Sequence, residues 1–99
     1  MKHDELQDLT FHDATFLVAD IRWTDGVVIL KFRVHPQREV WIVAKSFLSI
    51  AVPRRFEWGA SSSVNRIAWL EDGHAIDVEM QSGDTIQVAA SEFTIEWPE

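Results

Sequence analysis

The side chains able to act as metal ligands or bases are few. The four histidines are His3, His12, His35 and His74, and no two stand at the i, i+4 spacing of a helical zinc site. His12 and Asp13 are neighbours, so on a strand they face opposite sides of a sheet and cannot hold one ion together. The chain has no cysteine, which excludes a thiolate site and a disulfide framework alike. The expectation is therefore no metal and no other cofactor, with the ring of His12 hydrogen-bonding backbone at the start of the first strand.

A serine nucleophile is the next chemistry to test. Ser61, Ser62 and Ser63 follow Gly59 in the stretch Phe56 to Asn65, FEWGASSSVN. A nucleophile elbow needs G-x-S-x-G between a strand and a helix. Here the second glycine is missing and no helical pattern follows, so the hydroxyls are expected to satisfy loop backbone groups. Carboxylates are abundant, and a pair could flank a scissile bond as in a glycosidase, but no spacing singles one out. Asp77 and Glu79 share one strand face, where solvated charge is the ordinary state. The residues thus point to a non-enzymatic protein.

Five tryptophans and six phenylalanines, with no tyrosine, are the heaviest chemical load in the chain. Aromatic rings on a β surface serve as sugar-stacking platforms or as anchors of protein interfaces. Trp23 and Trp97 fall on the phase read as inward and are expected in the core. Trp41 lies on the second face of a long strand, and Trp69 is assigned to neither face. Trp58 sits in the Ser/Gly loop beside Arg54 and Arg55. It is the residue expected to face a partner, together with Ser61, Ser62 and Asn65, unless it plugs the end of a barrel.

The elements that must position these groups read as short strands. Residues 3 to 10 carry Leu6 and Leu9 on one side of a possible helical turn, too short to be stable in isolation. From about Thr15 the period is two, with Leu17, Ala19, Ile21 and Trp23 opposite Val18, Asp20 and Arg22. Asp25-Gly26 then turns the chain into Val27 to His35, a hairpin signal. His35-Pro36 ends that strand. Val40, Ile42, Ala44, Leu48, Ile50 and Val52 keep one phase through a single bent strand or two strands meeting near Ser46. Its other face carries Trp41, Val43, Phe47 and Ala51, as in a strand covered on both sides.

Beyond the loop, Val64 to Leu70 reads as a strand, Asp72-Gly73 as a turn, and His74 to Gln81 as a strand with Ile76, Val78 and Met80 inside and Asp77 and Glu79 outside. Ser82-Gly83-Asp84 turns again. Ile86, Val88 and Ala90 are followed by Phe93, Ile95 and Trp97 in the opposite phase, which requires a bulge or bend near Ala90-Ser91. The whole predicts one all-β domain over residues 1–99, an antiparallel meander of six to seven strands forming a small barrel or a sandwich.

Charge narrows the partner. The net charge is 9 − 16 = −7, and every Lys and Arg lies between Lys2 and Arg66. From Glu71 to Glu99 there are eight acids and no base. Nucleic-acid binding needs a basic surface, so it is not expected. One account places the C-terminal acids beside Lys31, Arg33 and Lys45 as cross-strand pairs. The other makes Asp77 and Glu79 part of an acidic face for a basic protein. The N-terminal stretch MKHDELQDLTFHD has no apolar run, and no segment approaches the length of a membrane helix. A soluble cytoplasmic protein without membrane contact is the expectation.

Two stretches carry a likeness: Phe11-His12-Asp13-Ala14 running into an apolar strand, and Trp58-Gly59-Ala60-Ser61 ahead of Val64-Asn65. Together they resemble small bacterial β-rich proteins, some of the toxin-immunity type. The resemblance implies a protein that acts by binding, with no catalytic residues to carry over, and an acidic C-terminal third suited to a basic toxin. The expected function is accordingly a protein-binding module, immunity-like or regulatory, that can also pair with itself through edge strands. The alternatives are a carbohydrate- or other ligand-binding domain using Trp41 and Trp58, and, third, an enzyme.

Overall fold

A computed structural model describes residues 13–34, 37–53 and 63–98. It contains one sheet of six antiparallel strands: β1 (Thr15–Arg22), β2 (Val27–Val34), β3 (Arg38–Ala51), β4 (Val64–Leu70), β5 (Ala75–Met80) and β6 (Thr85–Glu96). Their order across the sheet is β1-β2-β3-β6-β5-β4. The expected all-β antiparallel sheet forms, but not as one continuous meander: two three-stranded meanders, β1-β2-β3 and β4-β5-β6, join where β3 pairs with β6. The residue 3–10 segment and the His35-Pro36 turn lie outside the described residues.

The turns follow from residue type. Trp23–Gly26 closes the first hairpin, with the Gly26 amide donating to the Trp23 carbonyl at 3.1 Å. Gly26 has φ +67, and a Cβ there would stand 3.8 Å from the Ser46 Cα, an ordinary contact. The glycine is therefore demanded by backbone conformation rather than by space. Glu71–Gly73 forms a short 3-10 turn in which Asp72 takes φ 57, a conformation Asp tolerates better than most residues. Between β5 and β6, the Met80 amide donates to the Asp84 carbonyl at 2.8 Å.

Two long strands, β3 and β6, form the spine. β2 pairs with residues 38–45 of β3, whereas β5 pairs with residues 85–89 of β6. The two halves of the sheet thus sit at opposite ends of the central pair, and the sheet bends between them. The bend is visible in both strands at one level. On β3 the buried positions run Val40, Ile42, Ala44, then Ser46 takes φ 52 and Phe47 turns toward the core. On β6 the buried positions are Ile86, Val88 and Ala90, then Phe93. Register places Ala44 opposite Phe93 and Phe47 opposite Ala90, so each strand changes phase against the other.

Bulges account for the departures from the expected alternation. The register of β3 against β6 slips between Phe47 and Ser49, which puts the bulge on β3, while β6 changes phase between Ala90 and Phe93, the bend expected near Ala90-Ser91. The extra residue, Leu48, is 78% exposed instead of inward, and Val52 is exposed as well. A second slip, between Phe16 and Val18, likewise expels Leu17. Trp23 is a further correction. Strand β1 stops at Arg22, so Trp23 belongs to the turn and is 80% exposed, not core. Trp97 and Trp69 are partly buried and pack on the core, Trp69 edge-on to Phe93 with ring centroids 5.0 Å apart.

The core is the concave side of this bent sheet. It is built from Val28, Leu30 and Phe32 of β2, Val40 and Ile42 of β3, Val64, Ile76, Val78, Ile86, Val88 and Phe93. Ile29 and Val43 are also buried, on the opposite face of β2 and β3. The sheet does not close into a barrel. Among the described residues its edges meet at one bridge, Thr15 opposite Ser63, with the Asp13 amide donating to the Val64 carbonyl and the Val64 amide to the Ala14 carbonyl, both at 2.8 Å. Of the two stretches carrying the resemblance, the described residues Asp13, Ala14 and Val64 meet at that seam.

A polar hollow at the seam of the sheet

The seam opens on one side into a hollow of about 550 Å³ lined by Asp13, Asn65, Glu79, Met80, Gln81, Gly83 and Thr85. Three local features build it. The first is the left-handed Asp13 (φ 69) just before β1. It turns the chain so that its amide reaches Val64 while its carboxylate stays exposed.

The second feature is a β-bulge in β4, where pairing with β5 slips between Val64 and Arg66. The extra residue is Asn65, and a bulge re-aims the side chain that it carries. Asn65 Nδ2 donates to Glu79 Oε1 at 2.6 Å. The third is the β5–β6 turn, where the Gln81 amide donates to the Ser63 carbonyl at 2.9 Å. Gln81 Nε2 donates to Asp13 Oδ1 at 2.6 Å and to the Val64 carbonyl at 3.3 Å.

Two carboxylates therefore line the hollow, each held by a carboxamide from another segment. Arg66 Nε stands 3.7 Å from Glu79 Oε1, with both side chains substantially exposed, so this ion pair is screened by water and weak. Glu79 keeps acceptor capacity beyond the bonds described, since an ionised carboxylate offers about four lone-pair sites. Among the described residues the lining holds no histidine, cysteine or serine. What it offers a ligand is acceptor oxygens, a threonine hydroxyl and the thioether of Met80. Among the described residues, no group of three or more His, Cys, Asp or Glu stands close enough to hold a metal ion.

Of the residues expected to carry function, Asn65 and Glu79 meet in this hollow. Asp77 is two residues along β5 on the same face, opposite Ala68 and Gln87, with Gln87 Nε2 3.4 Å from its Oδ1. Trp41 is elsewhere, on the outer face of β3. It is half-buried, with the Lys31 ammonium 4.3 Å from its ring centroid and its indole N–H donating to Glu39. A cation–π partner already occupies that ring. Trp58, Ser61 and Ser62 lie outside the described residues.

Gln81 and Thr85 were not singled out by sequence reasoning, and Asp13 entered it only as the neighbour of His12 and within the stretch that carries the resemblance. Asp13 and Gln81 are 68 residues apart, and nothing in either neighbourhood announces the other. The available signal was the turn Ser82-Gly83-Asp84, which fixes where β5 ends and so where Gln81 must project.

Comparison with known proteins finds no matching family model, no matching curated protein and no matching solved structure.

Proposed function

We propose that this chain is a non-catalytic protein-binding module that receives a basic segment of a partner protein at the seam hollow. The observation that carries this reading is the convergence of two carboxylates around one open depression, Asp13 just ahead of edge strand β1 and Glu79 on β5 beside the other edge strand, β4. Arginine suits such a site. Its planar guanidinium bonds carboxylates through two parallel N–H groups, and its remaining donors reach carboxamide and hydroxyl oxygens. Asp77 extends the acidic character along β5. A partner of this charge is consistent with the immunity-like role that the sequence resemblance implies, and equally with a regulatory subunit.

The test is an NMR titration of the 15N-labelled protein with a nona-arginine peptide at low salt. Amide shifts concentrated at Asp13, Asn65, Glu79, Gln81 and Thr85, and lost in the Asp13→Asn/Glu79→Gln double variant, are expected. Both substitutions keep side-chain shape, and Asn accepts the left-handed backbone of position 13. Shifts spread evenly over Asp20, Glu92 and Glu96 would mean general charge attraction and would refute the hollow as the site.

A further inference from the structure

The two carboxylates of the hollow reach it by different routes. Glu79 stands on β5 itself, whereas Asp13 arrives only because the seam draws its segment against β4. One residue bonds both sides of that seam. The Gln81 amide donates to the Ser63 carbonyl at 2.9 Å, and Gln81 Nε2 donates to the Val64 carbonyl at 3.3 Å and to Asp13 Oδ1 at 2.6 Å. Both partners of Nε2 are acceptors, so its two protons are used and the carboxamide has one orientation.

The Val64 carbonyl also accepts the Asp13 amide at 2.8 Å. Asp13, Val64 and Gln81 thus form a closed ring of hydrogen bonds across the seam. Within it Asp13 holds the left-handed backbone, φ 69, which is unfavourable for a residue with a Cβ and persists where neighbouring contacts enforce it. The segment that carries Gln81 is anchored independently of the seam. The Met80 amide donates to the Asp84 carbonyl at 2.8 Å and the Gly83 amide to the Met80 carbonyl at 3.0 Å, so the β5–β6 turn gives Gln81 a fixed base.

We propose that Gln81 is a positioning residue for the hollow: by tying Asp13 to Val64 it aims one carboxylate at the depression that Glu79 already lines, so the cation site exists only while the seam is closed. The ligand in this inference rests on the proposed function; the latch itself rests on the bonds of Gln81. A guanidinium held between Asp13 and Glu79 fits the closed seam alone, and linkage then requires that the ligand stabilise closure in return. Asp13 and Gln81 are both exposed to water, so the latch acts on the local geometry of the site and contributes little to the stability of the whole sheet.

Two variants test this. Gln81→Met keeps the length of the side chain and removes both donors, while Gln81→Glu keeps its shape and sets a second carboxylate against Asp13. Without ligand, hydrogen exchange at the Asp13 and Val64 amides is expected to quicken by about threefold or more in Gln81→Met. The amides of Ile76 and Val88, at the buried centre of the sheet, should keep their wild-type rates. Nona-arginine should slow the seam amides of the wild type, and its dissociation constant should rise by about threefold or more in Gln81→Met. Gln81→Glu separates the latch from general electrostatics. A hollow that only gathers negative charge would bind the peptide more tightly in this variant, whereas the latch predicts weaker binding, because like charges push Asp13 away. Unchanged seam exchange or unchanged affinity in Gln81→Met, or tighter binding in Gln81→Glu, would overturn the proposal. A wild type whose hollow does not respond to the peptide would instead refute the proposed function, and the exchange without ligand would still decide whether Gln81 closes the seam.

Discussion

Among the described residues, three other than glycine adopt the left-handed conformation, Asp13, Ser46 and Asp72, with φ between 52 and 69. Each sits where the chain must change direction: at the seam, at the sheet bend and in the β4–β5 turn. Only Ser46 lies inside a strand. A β-branched residue there should be costly, because its Cβ crowds the following carbonyl. Ser46→Val is expected to lose about 1–2 kcal/mol, while Ser46→Gly should match or exceed the wild type; urea denaturation of the two variants measures the difference. Equal stability of both would mean that the bend is not held by this backbone conformation. The residue scale is also where the sequence was hardest to read. Leu48 and Trp23 are apolar residues in phase with the core, yet one is expelled by a bulge and the other by the hairpin turn. Periodicity assumes an unbroken strand, and a one-residue insertion inverts it.

At the level of elements the sequence was far more transparent. The alternation in His74 to Gln81 and the turns at Asp25-Gly26, Asp72-Gly73 and Ser82-Gly83 correspond to real strands and turns, because each rests on local backbone chemistry. Even the bend was half visible, as an interruption at Ser46 and a phase change at Ala90-Ser91. What local chemistry could not show was that these two places face each other across β3 and β6. The hollow was less legible for the same reason. Asn65 and Glu79 were within reach of sequence reasoning, whereas Asp13 and Gln81 meet only through the pairing of distant strands. Strand β2 supplies the deepest part of the core, with Phe32 fully buried and tilted against Phe16 at 5.6 Å between centroids. Phe32→Ala should therefore destabilise the fold by about 3–5 kcal/mol, read by urea denaturation. A loss below about 1 kcal/mol, the ordinary size for a typical substitution, would contradict the packing described.

For the molecule as a whole, the two accounts of the acidic C-terminal third apply to different strands. Glu92 is the register partner of Lys45, and Glu96 flanks Trp41 on the side opposite Lys31. Glu92 thus lies beside a base across the sheet, as cross-strand complementarity would have it, whereas Glu96 has Trp41 as its register partner. Asp77 and Glu79 have alanine, glutamine, threonine and the weakly paired Arg66 as neighbours. The surplus charge is thus concentrated on the β5 face, next to the hollow.

The most direct measurement is a salt-graded co-purification from the native host's lysate, using the wild type and the Asp13→Asn/Glu79→Gln variant as parallel baits. A stoichiometric basic protein retained by the wild type, released as salt rises, and absent from the equally folded variant is the predicted result. A partner retained equally by both baits, or a wild-type bait that retains no basic protein at low salt, would contradict the account.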